Sequence, residues 1–221
     1  MKKIVFVGSG AIATAIGNVL ARKAVYDVTL LSIEQEVVDS INNDRVNIAY
    51  FPNVKLSRNI KATTDIEILK DAEIIFMGIP STAVVGYLAN NKPYINPEAI
   101  IVNLAKGFGK DDRLIPECLT EFMPNPILTM KGPSFAREII NRQETGFTLA
   151  SQNSDYFNEV AELYARIYTM MFTGRPVNGS SESYSPYAPE YLDTYTTVPL
   201  TLWNVWTKDN THGADDPVES Y

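Results

Sequence analysis

Apolar residues along this chain fall into short blocks that switch between two spacings. Ile4-Val5-Phe6-Val7 is a continuous apolar run, and a run apolar on both faces suits a strand covered by helices on each side of a parallel sheet. Directly after it, Ile12, Ile16, Val19 and Leu20 recur at helical spacing, so the pattern predicts a strand, a turn and an amphipathic helix. The same reading predicts further strands over 28–31, 59–63, 73–79, 100–104, 127–130, 145–150 and 168–172. Helical stretches are predicted over 34–43, 81–88, 114–122, 135–141 and 156–167. A short helix ends at Leu69, capped by Asp65, and Ser81 caps the helix it opens. Residues 42–56 read as irregular. Strands alternating with helices predict an α/β class: a doubly wound, mostly parallel sheet with helices on both faces.

The pattern stops near Gly174. From there to Tyr221 the chain holds five prolines, five tyrosines, both tryptophans and seven acids, against Arg175 and Lys208. The expected division is a dinucleotide-binding domain over 1–173 and an irregular acidic tail over 174–221. The plain expectation for the tail is a segment without regular structure. The alternative is a docking arm anchored by Trp203 and Trp206.

Composition narrows the function classes. The 221 residues carry a formal charge of −7, which disfavours nucleic acid or an anionic membrane surface as a general partner. Cys118 and His212 are the single cysteine and histidine, so cysteine or histidine metal clusters are not expected. The apolar run after Met-Lys-Lys is too short for a signal peptide, and no segment reaches membrane-spanning length. A cytoplasmic protein is expected, and nothing in the sequence speaks against a homo-oligomer.

The candidate chemistry sits where strands end. Gly8-Ser9-Gly10-Ala11-Ile12-Ala13 spells G-x-G-x-x-A between the first strand and its helix. Gly8 permits the turn, Gly10 lets a pyrophosphate approach the backbone, and Ala13 allows close helix packing. The helix N-terminus supplies N–H groups and the positive end of its dipole. Strand, motif and helix in this order make the fold Rossmann-type and predict a dinucleotide site over Gly8, Ser9, Gly10, Ala11, Ile12 and Ala13.

After the second strand comes Ser32-Ile33-Glu34. Glu34 is a candidate for the ribose hydroxyls, one or two residues late, or a cap for the next helix. No arginine lies between Leu31 and Asn43, which favours NAD over NADP as cofactor without excluding NADP. Pro80 stops the fourth strand and leaves N–H groups toward the cofactor, or simply starts a helix. Lys106 directly follows a buried strand and precedes Gly107. It is read as beside a nicotinamide or a substrate phosphate, or as a lysine snorkelling to the surface. In Gly132-Pro133-Ser134-Phe135-Ala136, Gly132 gives close approach and Ser134 a hydroxyl; on chemistry alone Ser134 also reads as a helix cap.

Taken together, Gly8-Ser9-Gly10-Ala11-Ile12-Ala13, Tyr50-Phe51-Pro52, Asn103-Leu104-Ala105-Lys106-Gly107-Phe108 and Lys131-Gly132-Pro133-Ser134-Phe135-Ala136-Arg137-Glu138 resemble the NAD(P)-dependent glycerol-3-phosphate dehydrogenase family, over about residues 1–173. The resemblance implies hydride transfer between the nicotinamide and C2 of sn-glycerol 3-phosphate, giving dihydroxyacetone phosphate. It implies that Ala11 and Ile12 lie in the cofactor turn and Ala136 lines the cofactor. Lys106 would touch cofactor and substrate, and Gly132 and Ser134 would hold the phosphorylated substrate. The family has glycine where Ala13 stands. It also continues into a helical domain opening with a Gly-Gly-Ala-x-Lys-Asn type segment, whose lysine is the base; no such segment occurs here. The catalytic base is therefore unassigned. The expectation is the cofactor half of the enzyme followed by an unrelated end, through truncation or a broken reading frame, with doubtful activity alone. Two alternatives remain: another two-domain reductase, of the ketopantoate reductase or 6-phosphogluconate dehydrogenase type, and a non-catalytic nicotinamide-dinucleotide-binding module.

Overall fold

The computed structural model describes residues 1–132, 134–143 and 145–151, with Tyr156, Glu159, Val160, Leu163 and the backbone of 168–173. The expectations for residues 174–221, and for most of the helix over 156–167, lie outside the described residues.

Eight strands form one sheet: β1 (Lys2–Val7), β2 (Tyr26–Leu31), β3 (Ile60–Thr63), β4 (Ile74–Met77), β5 (Ile100–Asn103), β6 (Ile127–Lys131), β7 (Gly146–Ser151) and β8 (Tyr168–Thr173), in the order β3-β2-β1-β4-β5-β6-β7-β8. Among the described residues the α-helices with set bounds are α1 (Ala11–Leu20), α2 (Gln35–Asp39), α3 (Ser81–Asn91), α4 (Ile115–Thr120) and α5 (Ala136–Ile140). β1 pairs in parallel with β2 on one side and β4 on the other. The strand order therefore reverses between β1 and β4, and a crevice opens at their carboxyl ends.

Side chains of successive strand residues point to opposite faces, and the core splits accordingly. Ile4, Phe6, Val28, Leu30, Ile74 and Phe76 pack with Ile16 and Leu20 of α1, Val37 and Val38 of α2, and Ile139 and Ile140 of α5. Val5, Val7, Ile75, Met77 and Ile101 pack with Val84 and Leu88 of α3 and Ile115 and Leu119 of α4. Phe6 and Phe76 stack across β1 and β4 with ring centroids 4.6 Å apart. Each such buried side chain contributes about 1.5–3 kcal/mol, which concentrates stability in the strands that aim their ends at the crevice.

The strands fall where the apolar runs predict them, with ends shifted by a residue or two. One pairing differs from a uniformly parallel sheet: β7 runs antiparallel to β6, and β8 runs parallel to β7. Among the described residues, the link between β6 and β7 carries only α5, a five-residue helix. At 1.5 Å per residue it advances about 7–8 Å, while the five residues of β6 span roughly 17 Å. A link of this size is at the lower limit for a parallel crossover, which takes a dozen or more residues, whereas an antiparallel neighbour needs only a turn.

Two caps differ in outcome. The Asp65 carboxylate accepts from the Glu67 N–H at 3.0 Å, as expected, although the helix that follows is a 3-10 turn over Ile66–Asp71. Ser81 does not cap α3. Pro80, with ψ 143°, occupies the cap position and Ser81 is already helical, because proline's fixed φ suits the residue at the helix boundary and leaves Ser81 inside it.

The crevice depends on close packing at its root. Gly8 has φ +101°, and a Cβ there would lie 2.8 Å from the Gly78 carbonyl oxygen; a Cβ on Gly78 would lie 2.9 Å from the Ala13 Cβ. Substituting Gly8→Ala therefore adds backbone strain of about 1–3 kcal/mol to a steric overlap. The expected result is a Tm several degrees below wild type in ligand-free protein. An unchanged Tm would show that the turn relaxes freely.

Candidate functional site

The ends of β1, β4, β5 and β6 enclose one cleft of about 460 Å³. Its floor is Gly10, Ala11 and Ile12 at the start of α1, its sides are Gly78, Ile79 and Pro80 after β4 and Leu104, Ala105 and Lys106 after β5, and its far wall runs from Met130 to Ala136, backed by Phe147. Of the residues singled out in the sequence, Gly10, Ala11, Ile12, Pro80, Lys106, Gly132, Ser134 and Ala136 are brought together here. Gly8, Ser9, Ala13 and Glu34 are not among the lining residues.

α1 begins with no side-chain cap and no acidic residue in its first turn. The N–H groups of its first turn have no intrahelical partner, so ten residues of aligned peptide dipoles leave partial positive charge facing the cleft. Gly10 has φ −65° and ψ 176°, and a Cβ there would meet nothing nearer than the Gly78 carbonyl oxygen at 3.9 Å. Glycine at this position thus leaves open space above the helix end, in contrast to Gly8 and Ala13, which serve packing beneath it. These residues fit a dinucleotide's diphosphate: a preformed donor set with room over it.

The turn is held from behind. Ser9 Oγ and Ser32 Oγ are 2.8 Å apart in a buried hydrogen bond, which ties the turn after β1 to the end of β2. Asn47, fully buried, donates through Nδ2 to the Ser9 carbonyl oxygen and to Thr14 Oγ1, both at 2.8 Å. Thr14 Oγ1 in turn donates to the Ser9 carbonyl oxygen at 3.0 Å. Asn47 Oδ1 accepts from the N–H groups of Ala49 and Tyr50, each at 3.2 Å, so the stretch read as irregular is a folded brace. Glu34 stands at the cap position of α2, exposed, with no capping bond from its carboxylate; Ser32 Oγ accepts from the Glu34 N–H instead, at 3.1 Å. Its carboxylate is free to reach outward beyond β2, while the capping role does not occur.

The far wall carries the charge. Lys106 is exposed at the cleft lip. Lys131, at the end of β6, donates from Nζ to the Ala105 carbonyl oxygen. Burial first, and the neighbouring Lys106 charge second, push the Lys131 ammonium below the ordinary lysine range. Ser134 is buried in the turn after Gly132. A Cβ on Gly132 would fall 2.2 Å from the Gly146 carbonyl oxygen, so this position is glycine because the start of β7 crosses it, whatever it also does toward a ligand. Among the described residues, no group of three or more His, Cys, Asp or Glu side chains is placed to hold a metal, and no helix is long and apolar enough to cross a membrane.

Three contributors had no role in the sequence reading. Gly78 sat inside a run read as continuous strand. Asn47 sat in a stretch without period, and only its contacts reveal it. Lys131 carried the same signal as Lys106, a lysine ending a buried strand.

Replacing Asn47 by alanine removes donors from the Ser9 carbonyl and Thr14 hydroxyl and the acceptor from two N–H groups. A loss of about 1–3 kcal/mol is expected, the penalty for buried polar groups left unpaired, read as a fall in Tm. Asn47→Asp, which keeps the acceptor but not the donor, is expected to do no better. Wild-type stability in either variant would show the brace to be dispensable.

Comparison with known proteins places this arrangement. The model of the NAD-dependent glycerol-3-phosphate dehydrogenase N-terminus matches residues 3–157. The glycerol-3-phosphate dehydrogenase (NAD(P)+) of Leptospira biflexa is 35% identical over 172 residues, 75% of this chain and 51% of the relative. That of Carboxydothermus hydrogenoformans is 34% identical over 183 residues, 80% of this chain and 54% of the relative. The crystal structure of glycerol-3-phosphate dehydrogenase from Coxiella burnetii superimposes with a TM-score of 0.71 at 30% identity, over 78% of this chain and 54% of that one. The chain spans about half the length of the curated relatives it matches. A Rossmann-type sheet, an open helix N-terminus at its reversal point and a match over residues 3–157 agree, and the chain belongs to the NAD-dependent glycerol-3-phosphate dehydrogenase N-terminal domain family.

Proposed function

We propose that this chain is the cofactor-binding half of an NAD(P)-dependent glycerol-3-phosphate dehydrogenase, with residues 1–173 as its dinucleotide-binding unit. The observation that carries the reading is a cleft that joins the uncapped start of α1 to the lysine-bearing wall after β5 and β6. In this reading the N–H groups at Ala11 and Ile12 hold the cofactor diphosphate, and Gly8, Ser9 and Ala13 keep the turn in place. Pro80 and Ala136 flank the cofactor, and Lys106, Gly132 and Ser134 face a phosphorylated small substrate. The bound nicotinamide would supply the hydride acceptor for C2 of sn-glycerol 3-phosphate. Lys106, cationic at the cleft lip, offsets negative charge on cofactor and substrate. The proton on the substrate hydroxyl needs a base, worth about 10²–10⁴ in rate, and no residue of this chain is assigned to that role. The cytoplasm is the compartment that this chemistry implies.

NADH at a hundredfold excess over its Kd is expected to stabilise the protein by about 2.7 kcal/mol, a Tm rise of roughly 5–10 °C for a chain of this size. Gly10→Val is expected to abolish that rise while leaving the ligand-free Tm near wild type, since its branch enters open space. Indifference of the wild-type protein to millimolar NADH and NADPH would sink the reading.

NAD is proposed as the preferred form. Ile33 is 96% exposed and Glu34 is exposed beside it at the exit of β2, and neither offers a cation to a ribose 2′-phosphate. Ile33→Arg is expected to raise NADPH affinity about tenfold, since a charge-assisted hydrogen bond contributes about 1.5–3 kcal/mol. Equal affinity of the wild type for both cofactors would count against the preference.

A further inference from the structure

The roles assigned above leave Lys131 unused. It is the last residue of β6, and it lines the same cleft as Lys106. Its bond to the Ala105 carbonyl draws the side chain from β6 across to the exit of β5, beside Lys106. An ammonium has three donors; one is committed to Ala105 and two remain for a ligand. Lys2, Lys3, Lys61, Lys70 and Arg113 each have a carboxylate partner within 4.0 Å. Among the described residues no such partner stands against Lys106 or Lys131. Like charges repel, and the partial burial of Lys131 removes part of the water that would screen it from the exposed Lys106. Burial first, and the Lys106 charge second, lower the affinity of Lys131 for its proton. An anion between the two lysines offsets that repulsion.

We propose that Lys131 and Lys106 form a two-lysine clamp for a phosphate monoester dianion, with the Ser134 hydroxyl as a third donor. The assignment rests on the dehydrogenase reading of the cleft and adds Lys131 to it as a substrate-binding residue. Position separates this anion from the cofactor diphosphate. The diphosphate belongs over the α1 N-terminus at β1, and β6 lies three strands away, across β4 and β5. At about 4.8 Å per strand that is roughly 14 Å, too far for one anion to serve both ends. Lys106, just after β5, lies at the exit of the strand next to β6, which carries Lys131. A monoester with about two negative charges and three acceptor oxygens matches two ammonium groups and a hydroxyl.

The test titrates the 221-residue chain with inorganic phosphate, sn-glycerol 3-phosphate and NADH separately, following each by calorimetry. Wild type is expected to bind sn-glycerol 3-phosphate and inorganic phosphate in competition with each other, with affinity falling as salt rises. Lys131→Gln, which keeps a donor for Ala105 and loses the charge, is expected to weaken glycerol 3-phosphate at least tenfold more than it weakens NADH. Lys131→Arg is expected to restore most of the loss. Equal weakening of NADH and glycerol 3-phosphate would overturn the assignment in favour of the cofactor diphosphate. Unchanged phosphate binding in Lys131→Gln, or wild-type binding indifferent to salt, would also overturn it. Wild type that binds NADH but neither phosphate probe would remove the clamp and leave the dinucleotide reading standing; wild type that binds phosphate but not NADH would do the reverse.

Discussion

The close approach on which the rest of the structure depends is the one between the exits of β1 and β4. Three small residues meet there. Gly8 turns with a positive φ under the Gly78 carbonyl, Gly78 leaves no side chain in the path of Ala13, and Ala13 lets α1 descend onto the sheet. A helix with a larger residue at this contact would stand off the strands, and its first N–H groups would no longer open into the crevice. Where the strand order reverses, the same contact also decides how wide the crevice is. Alanine at position 13 satisfies the packing as glycine would, because the Cβ it adds fills the space that Gly78 leaves.

Close packing alone does not hold a turn in register. Its back is exposed to the segment after α2, and there the fold uses buried hydrogen bonds. Asn47 reaches the Ser9 carbonyl and the Thr14 hydroxyl together, while Ser9 and Ser32 join the first two strand exits. Each partner is buried, so each bond is expensive to lose and water cannot substitute for it. The front of the turn is left to backbone donors and the back to side chains. That division explains why no charged residue is needed at the helix N-terminus.

How far the sequence could be read follows from the kind of signal each feature leaves. The strands are legible because burial on two faces demands unbroken apolar runs such as Ile4–Val7 and Ile74–Met77. The glycine turn is legible because a local steric need has a local residue pattern. The reversal of β7 is not, since an apolar run such as that at 145–150 reads the same whichever way the strand points. Gly78 and Gly132 show the same limit. Their lack of a side chain answers to Ala13 and to Gly146, neighbours in space whose sequence positions give no hint. Asn47 has no period, no motif and no charge, and its meaning is entirely in its contacts. Lys131 carries the same local signal as Lys106, a lysine at the end of a buried strand followed by glycine.

Charge distribution adds a last constraint. The chain is acidic as a whole, with 26 Asp and Glu against 19 Lys and Arg, and its surface field on average repels phosphates. The ion pairs among the described residues are largely open to solvent, where water and salt leave them worth at most about 1 kcal/mol each. The cleft reverses the balance locally. One end offers oriented N–H groups without an acidic neighbour in the first turn, and the other offers Lys106 and Lys131 without a carboxylate among the described residues. Field lines from both ends converge in a partly apolar cavity lined by Leu104, Met130 and Phe147, where screening is weaker than on the open surface. An anion repelled elsewhere on this protein therefore finds its favourable potential in one place. A ligand with two separated anionic groups, or two ligands side by side, uses that potential better than one small ion can.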